Sequence, residues 1–166
     1  NLAANLLNLV LDPNLRSIDF SELYRVETAA KRSDILQFFF SLNTEGADLL
    51  LLNNVDPVFT LPKNSGVKQA LDNKDLFVVC FSNFMNETAE MADLVLPVQM
   101  PLESWDEYGG KQLLVSTLQP AMGKMTQASN VGDVMLFAGF EGPPPARTYK
   151  DYLVSDLAEK RGITDE

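Results

Sequence analysis

The side chains best suited to hold a ligand fall in three short stretches, each directly after an apolar run. These are Asn53-Asn54-Val55-Asp56-Pro57, Ser82-Asn83-Phe84-Met85-Asn86-Glu87-Thr88, and a third that begins at Pro97. Their amides, hydroxyls and carboxylates offer the donors and acceptors that a purine edge, a ribose or a pterin ring requires. The same residue types make turns and cap helices, and spacing alone favours that plainer role. Trp105, in Glu103-Ser104-Trp105-Asp106-Glu107-Tyr108-Gly109-Gly110, is suited to stack on a flat ring or to plug the space beneath a loop.

Much chemistry is excluded within the chain. It has no histidine, so it lacks the usual general base and any Ser-His-Asp or Cys-His arrangement. Its one cysteine, Cys80, cannot form an internal disulfide or supply the four thiolates that an iron–sulfur cluster commonly takes. Cys80 lies inside an apolar run, where a thiol behaves as a small hydrophobe. Glu87 and Glu90 read as helix surface, and Asn86-Glu87-Thr88 matches a glycosylation sequon that arises often by chance. No Gly-x-Gly-x-x-Gly follows an apolar run, and no Gly-Lys-Ser/Thr occurs, which removes the main support for nucleoside-triphosphatase and dinucleotide-dehydrogenase readings. No catalytic residue and no metal ligand is expected here.

The elements that must position the three stretches alternate. Leu49–Leu52, Leu76–Phe81 and Leu94–Leu96 are short apolar runs of strand length, and Leu49–Leu52 reads as a strand buried on both faces. Between them, Val67, Ala70 and Leu71 predict a short helix, and Glu87–Met91 a second. Before them, Leu2, Leu6, Leu7, Val10 and Leu11 recur at helical spacing until Asp12-Pro13. A further helix runs from an N-cap at Ser33 through Phe40 and ends by Gly46. Alternating strand and helix predicts an α/β three-layer sandwich with a mainly parallel sheet. Ligands of such sheets sit beyond the carboxyl ends of the strands, where the three polar stretches lie.

Further along, Leu113-Leu114-Val115 reads as a strand and Val131–Ala138 as a helix. Gly142-Pro143-Pro144-Pro145 is a break. Thr148 and Asp151 have the spacing of a capping box for a terminal helix whose one face carries Tyr149, Tyr152, Leu153 and Leu157. The expected organisation is an α/β domain over 1–141, then a proline-rich break and helix over 142–166.

The net charge of −10 and the lack of a basic stripe make nucleic acid a poor partner. No apolar run reaches the ~20 residues that cross a bilayer, so no membrane insertion by this chain is expected. The first residue is Asn1 rather than Met, which suggests an excised or processed segment.

The segment GADLLLLNNVDPVFTLP resembles the third domain of the molybdopterin oxidoreductase superfamily, where a strand runs into an Asn-Pro-containing turn. DLFVVCFSNFMNETAEMADLVLP is closer, with Glu87-Thr88-Ala89 and then Ala92-Asp93-Leu94-Val95-Leu96-Pro97. LESWDEYGG and STLQPAMGKMTQASNVGDVML resemble the segments that follow, the latter in the polysulfide-reductase-like branch. The resemblance runs from about Leu2 to Phe140. It implies a Rossmann-like domain whose loops bind a molybdopterin guanine dinucleotide carrying molybdenum or tungsten. Asn54, Asp56 and Pro57 would line the first loop, and Ser82, Asn83, Glu87 and Thr88 the second. It also implies a parent oxidoreductase with a 4Fe-4S cluster held by other domains, and no catalysis by this segment alone. Expected partners are the remaining domains of the parent, with iron–sulfur and membrane subunits of an electron-transfer complex. The parent would be a bacterial respiratory enzyme at the cytoplasmic membrane. One departure stands out: Val55-Asp56-Pro57 replaces the family's usual Ala/Gly-Asn-Pro. Some superfamily members keep the fold without molybdenum, so a structural or interaction domain of a respiratory complex is the alternative.

Overall fold

The computed structural model describes residues 2–14, 16, 17, 24–111 and 114–161. In chain order the elements are α1 (Leu2–Leu11), α2 (Arg32–Thr44), β1 (Leu49–Asn53), α3 (Pro57–Thr60), α4 (Val67–Leu71), β2 (Phe77–Phe81), β3 (Leu94–Leu96), β4 (Asp106–Lys111), β5 (Leu114–Leu118), α5 (Val131–Ala138) and α6 (Tyr149–Arg161), with 3-10 turns at Val26–Thr28, Ala89–Met91 and Pro101–Glu103. The described chain divides into two compact units, one of residues 1–29 with 108–116, the other of 30–107 with 117–166.

In the smaller unit, α1 buries none of its residues. Asp12 ends it by accepting from both the N–H and the hydroxyl of Ser17, at 2.8 and 2.6 Å. Tyr24 bridges antiparallel to Lys111, and the Arg25 N–H donates to the Gly110 carbonyl at 2.8 Å.

The larger unit holds the sheet. Strands β1, β2 and β3 are neighbours in that order and parallel, with Leu50 opposite Val78, Leu52 opposite Cys80 and Cys80 opposite Val95. The α/β class and the parallel sheet expected from the apolar runs are therefore present. On one face Leu50, Leu52, Val78 and Cys80 pack against Phe39 and Leu42 of α2 and Val67, Ala70 and Leu71 of α4. On the other, Val79 and Phe81 pack with Val98, and Val131 and Val134 of α5 close over them. Burial raises the pKa of the Cys80 thiol, and the nearby Asp56 charge adds to the effect, so this cysteine is a core residue.

Three local readings need correction. First, β1 is buried on one face only: Leu49 and Leu51 are 54% and 40% exposed, while Leu50 and Leu52 are buried. The reason is lateral, because α5 lies over β2 and Val98, and among the described residues the core on that side does not extend to β1. Second, the helix expected over 87–91 is a single 3-10 turn at Ala89–Met91. Third, α2 starts before Ser33. Its N-cap position is Lys31, whose N–H donates to the Asp34 carboxylate at 3.1 Å, and Ser33 Oγ donates to the same side chain. Leu113 lies outside the described residues, and β5 begins at Leu114.

At the far end of this unit, Asn130 caps α5 by accepting from the Gly132 N–H at 2.7 Å. Gly132 is required by close approach, since a Cβ there would sit 2.2 Å from the Tyr149 ring. Asp133 accepts from the Tyr149 N–H at 2.6 Å, and Thr148 Oγ1 accepts from the Asp151 N–H at 3.2 Å, the serviceable half of the expected capping box. Leu153 is the buried anchor of α6.

The one-sided burial of β1 has a direct consequence. Leu50→Ala should cost ~2–5 kcal/mol of stability, as a buried leucine truncation does. Leu51→Ala, one residue along, should cost less than about 1 kcal/mol. Chemical denaturation of the two variants checks this, and equal losses would overturn the face assignment.

Candidate functional site

The carboxyl ends of β1, β2 and β3 open onto three polar loops that the backbone itself ties together. Asn54 leaves β1 with φ of 50°, a left-handed conformation that asparagine tolerates better than most residues. Its N–H donates to the Phe81 carbonyl at 2.9 Å, and the Ser82 N–H donates to the Leu96 carbonyl at 3.1 Å. Each strand exit is thereby pinned to the next.

Side chains then lock the first two loops. Thr88 is fully buried, and its hydroxyl donates to Asp56 Oδ1 at 2.5 Å while accepting from the Val58 N–H at 3.2 Å. Asp56 caps α3 by accepting from the Phe59 N–H at 3.2 Å, and Pro57 takes the first helical position, where a missing N–H costs nothing. Burial by itself would raise the pKa of Asp56. Hydrogen bonds from Thr88, the Phe59 N–H and Glu87 outweigh it and hold the carboxyl below its usual value.

The second loop is equally occupied with itself and with the third. Ser82 Oγ donates to the Phe84 carbonyl at 2.8 Å and accepts from the Phe84 N–H. Asn83 Oδ1 accepts from the Val98 N–H at 2.9 Å, and its Nδ2 donates to Met100 Sδ at 3.1 Å. Asn86 Oδ1 accepts from the Ala89 N–H. Among the described residues no group of three or more His, Cys, Asp or Glu is placed to hold a metal ion.

The seven residues expected at the site thus part company. Asp56, Pro57, Ser82 and Thr88 form the internal frame, with Asp56 and Thr88 in direct contact. Asn54 lines a cavity of about 360 Å³ at the sheet's carboxyl edge, together with Asn53, Gln99, Ser104, Trp105, Asn130 and Tyr149. Asn83 lines a different one, with Phe84, Met100 and Glu103. Glu87 borders a third, beside Val58, Lys63 and Lys68.

The cavity of Asn54 has the stronger polar lining. Asn130 Nδ2 donates to the Trp105 carbonyl at 2.9 Å, which fixes one wall. Lys150 Nζ stands 5.0 Å from the centre of the Trp105 ring, within cation–π range. Burial, then the charges of Asp106 and Glu107, raise the pKa of Tyr149, so its phenol keeps its proton at neutral pH. The Gln99 Nε2 atom is shut off from solvent with no hydrogen-bond partner, the one such side-chain atom among the described residues. The sequence reading did not place Gln99, Asn130 or Tyr149 at the site, and took Tyr149 as part of one face of the terminal helix. Asn130 directly precedes the helix read at Val131–Ala138, which was the available signal, but nothing in sequence marks Gln99.

The family model for molybdopterin oxidoreductases matches residues 8–128. The menaquinone reductase, molybdopterin-binding-like subunit of Nitratidesulfovibrio vulgaris is 34% identical over 94 residues, 54% of this chain and 14% of that protein. The probable oxidoreductase YoaE of Bacillus subtilis is 37% identical over 59 residues, 36% of this chain and 9% of its own length. The matched region is thus a small part of each relative.

The Asp56–Thr88 bridge sets a test of its own. A carboxyl whose folded pKa lies below its unfolded value adds stability above the unfolded pKa, near ~4, and loses it as pH falls through the folded value. Thr88→Val should cost ~1–3 kcal/mol at neutral pH, by leaving the Val58 N–H and part of Asp56 unpaired. It should also flatten the decline in stability below pH ~4. Denaturation curves at neutral and acid pH read both effects, and an unchanged variant would remove the bridge from the frame.

Proposed function

The chain belongs to the molybdopterin oxidoreductase family, and from that premise we propose that it contributes one wall of the site that binds a molybdopterin guanine dinucleotide in a larger oxidoreductase. The observation that carries the reading is the cavity at the carboxyl edge of the parallel sheet, the position at which such sheets take ligands. The fit to the group rests on its donor set. Asn54, Ser104 and Asn130 bring amides and a hydroxyl, Trp105 and Tyr149 bring flat rings, and the buried, unpartnered Gln99 amide is a donor awaiting an acceptor. Asn54, Gln99 and Tyr149 would hold the group, and Asn83 would shape the neighbouring wall. When bound, it supplies the redox centre of the parent enzyme. This chain's own share is to orient the group and shield it from water.

The remaining domains of the parent would complete the site and carry any 4Fe-4S cluster, since this chain has a single, buried cysteine. Iron–sulfur and membrane subunits are the partners proposed for the assembly, because the relative from N. vulgaris is by name a subunit of a menaquinone reductase. Among the described residues no helix is long and apolar enough to cross a membrane. The location proposed for the parent is the cytoplasmic membrane of a bacterium.

A second reading has a specific observation in its favour. Ser82, Asn83 and Thr88 all spend their side chains on hydrogen bonds inside the chain, as an interaction domain that had lost its cofactor could still require.

Cofactor occupancy of the purified full-length parent separates the two. Asn54→Gly keeps the left-handed backbone and deletes the amide, so it should lower occupancy while leaving folding intact. Asn83→Ala should act in the same direction, and the exposed Glu159→Ala should have no effect. Each lost pairing is worth ~1–3 kcal/mol. Full occupancy in both loop variants would favour the cofactor-free reading. The 166-residue chain by itself should purify without stoichiometric molybdenum or iron, which elemental analysis checks.

A further inference from the structure

The cavity that Asn54 lines has a neighbour of equal size. This second space of about 360 Å³ is bordered by Lys124, Thr148 and Lys150, and the two cavities share four residues: Gln99, Trp105, Asn130 and Tyr149. Three of the four are tied to the body of the larger unit. The Gln99 N–H donates to the Ser129 carbonyl at 3.2 Å, and Asn130 accepts from the Gly132 N–H while donating to the Trp105 carbonyl. Tyr149 differs, because it is the first residue of α6 and reaches the cavities from beyond Gly142-Pro143-Pro144-Pro145. Three consecutive prolines make a stiff, extended arm, so bending is confined to the residues at its ends.

The hold on that arm is light. Among the described side chains of α6, Leu153 alone is buried. At the first turn the Tyr149 N–H donates to Asp133 at 2.6 Å, and Lys150 Nζ stands 5.0 Å from the centre of the Trp105 ring. The Tyr149 ring seats on Gly132, where a Cβ would occupy its place. We propose that the first turn of α6 is a gate. With Tyr149 on Gly132 the two cavities are separate, and when the turn swings out they join into one space larger than either. The joined space admits a ligand too long for one cavity, and the returning Tyr149 closes a flat ring over it. One hydrogen bond and one cation–π contact leave an open state at roughly 0.1–10% of molecules, enough to set the rate of entry. The inference rests on the cofactor-binding reading for what enters, and the motion itself does not depend on that reading.

The single tryptophan makes the test site-specific, because the 15N-labelled chain gives one indole N–H resonance. Relaxation dispersion on the intact chain, which needs no ligand, follows that resonance with the Gly132 and Tyr149 amides on the time scale of hinged segments. All three should report one exchange process with a common rate. Asp133→Ala removes the acceptor of the Tyr149 N–H and should raise the open population roughly tenfold, as losing a hydrogen bond to a charged group does. Gly132→Ala denies the ring its seat, so it should abolish the exchange and make Trp105 fluorescence more readily quenched by acrylamide. Tyr149→Ala should give the same rise in quenching, and it serves where Gly132→Ala does not fold. Flat profiles in both the unmodified chain and Asp133→Ala would overturn the gate. Exchange at Tyr149 without Trp105 and Gly132 would do the same, since it marks a local ring motion. Unchanged quenching in the folded variants would remove Tyr149 as the closing group. None of these failures touches the cofactor reading, which occupancy of the full-length parent decides separately.

Discussion

The hydrogen bond from Thr88 to Asp56 governs the geometry of the whole carboxyl edge. Parallel strands deliver their exit loops side by side, but nothing in strand pairing prevents those loops from collapsing or splaying. Here a fully buried hydroxyl reaches from the second loop into the first and is met by both a carboxylate and the Val58 N–H. The same carboxylate caps α3, so the start of that helix and the turn at Ala89–Met91 are fixed relative to each other. The Asn83 side chain extends the chain of contacts to Val98, and with it to the third loop. The edge is a frame whose parts hold one another in place before any ligand is considered.

That frame also accounts for the departure noted in the sequence. An acidic residue in place of the family's asparagine would be a poor neighbour for an anionic cofactor if its charge faced outward. In the structure the Asp56 charge is directed at a hydroxyl and a helix N–H, both donors, and its lowered pKa reports how well they satisfy it. An asparagine could accept there as well, but with less charge assistance and with an NH₂ group left to place. The substitution is thus compatible with a working site.

Periodicity made the sheet legible. Leu49–Leu52, Leu76–Phe81 and Leu94–Leu96 all mark strands, because short apolar runs bounded by polar turns have few other uses. What it did not disclose was lateral position. Leu49 and Leu51 are as apolar as Leu50 and Leu52, yet they sit on the side where α5 covers β2 and not β1. Whether a leucine run is buried on one face or two depends on how far the next layer extends, and composition carries no trace of that. The candidate site was legible only in part. The loops were identifiable from their place after strands, and Asn54 does line the cavity. Gln99 and Asn130 reach it from segments distant in sequence or irregular in structure, and no local pattern announces such a meeting.

Satisfied and unsatisfied polar groups divide sharply between the two sides of this edge. Asp56, Ser82, Asn83, Asn86 and Thr88 of the first two loops all have partners within the chain, while Gln99 Nε2, after β3, has none among the described residues. A frame gains from internal satisfaction, because each closed hydrogen bond removes a reason to move. A recognition surface needs the opposite, since a donor or acceptor already engaged can only exchange one bond for another. Sequence resemblance points to the loops because that is where the family's recurrent residues stand. Hydrogen-bond accounting points to Gln99 instead. The two are reconciled if the recurrent residues build the edge, and the less patterned residues beyond β3 meet what binds against it.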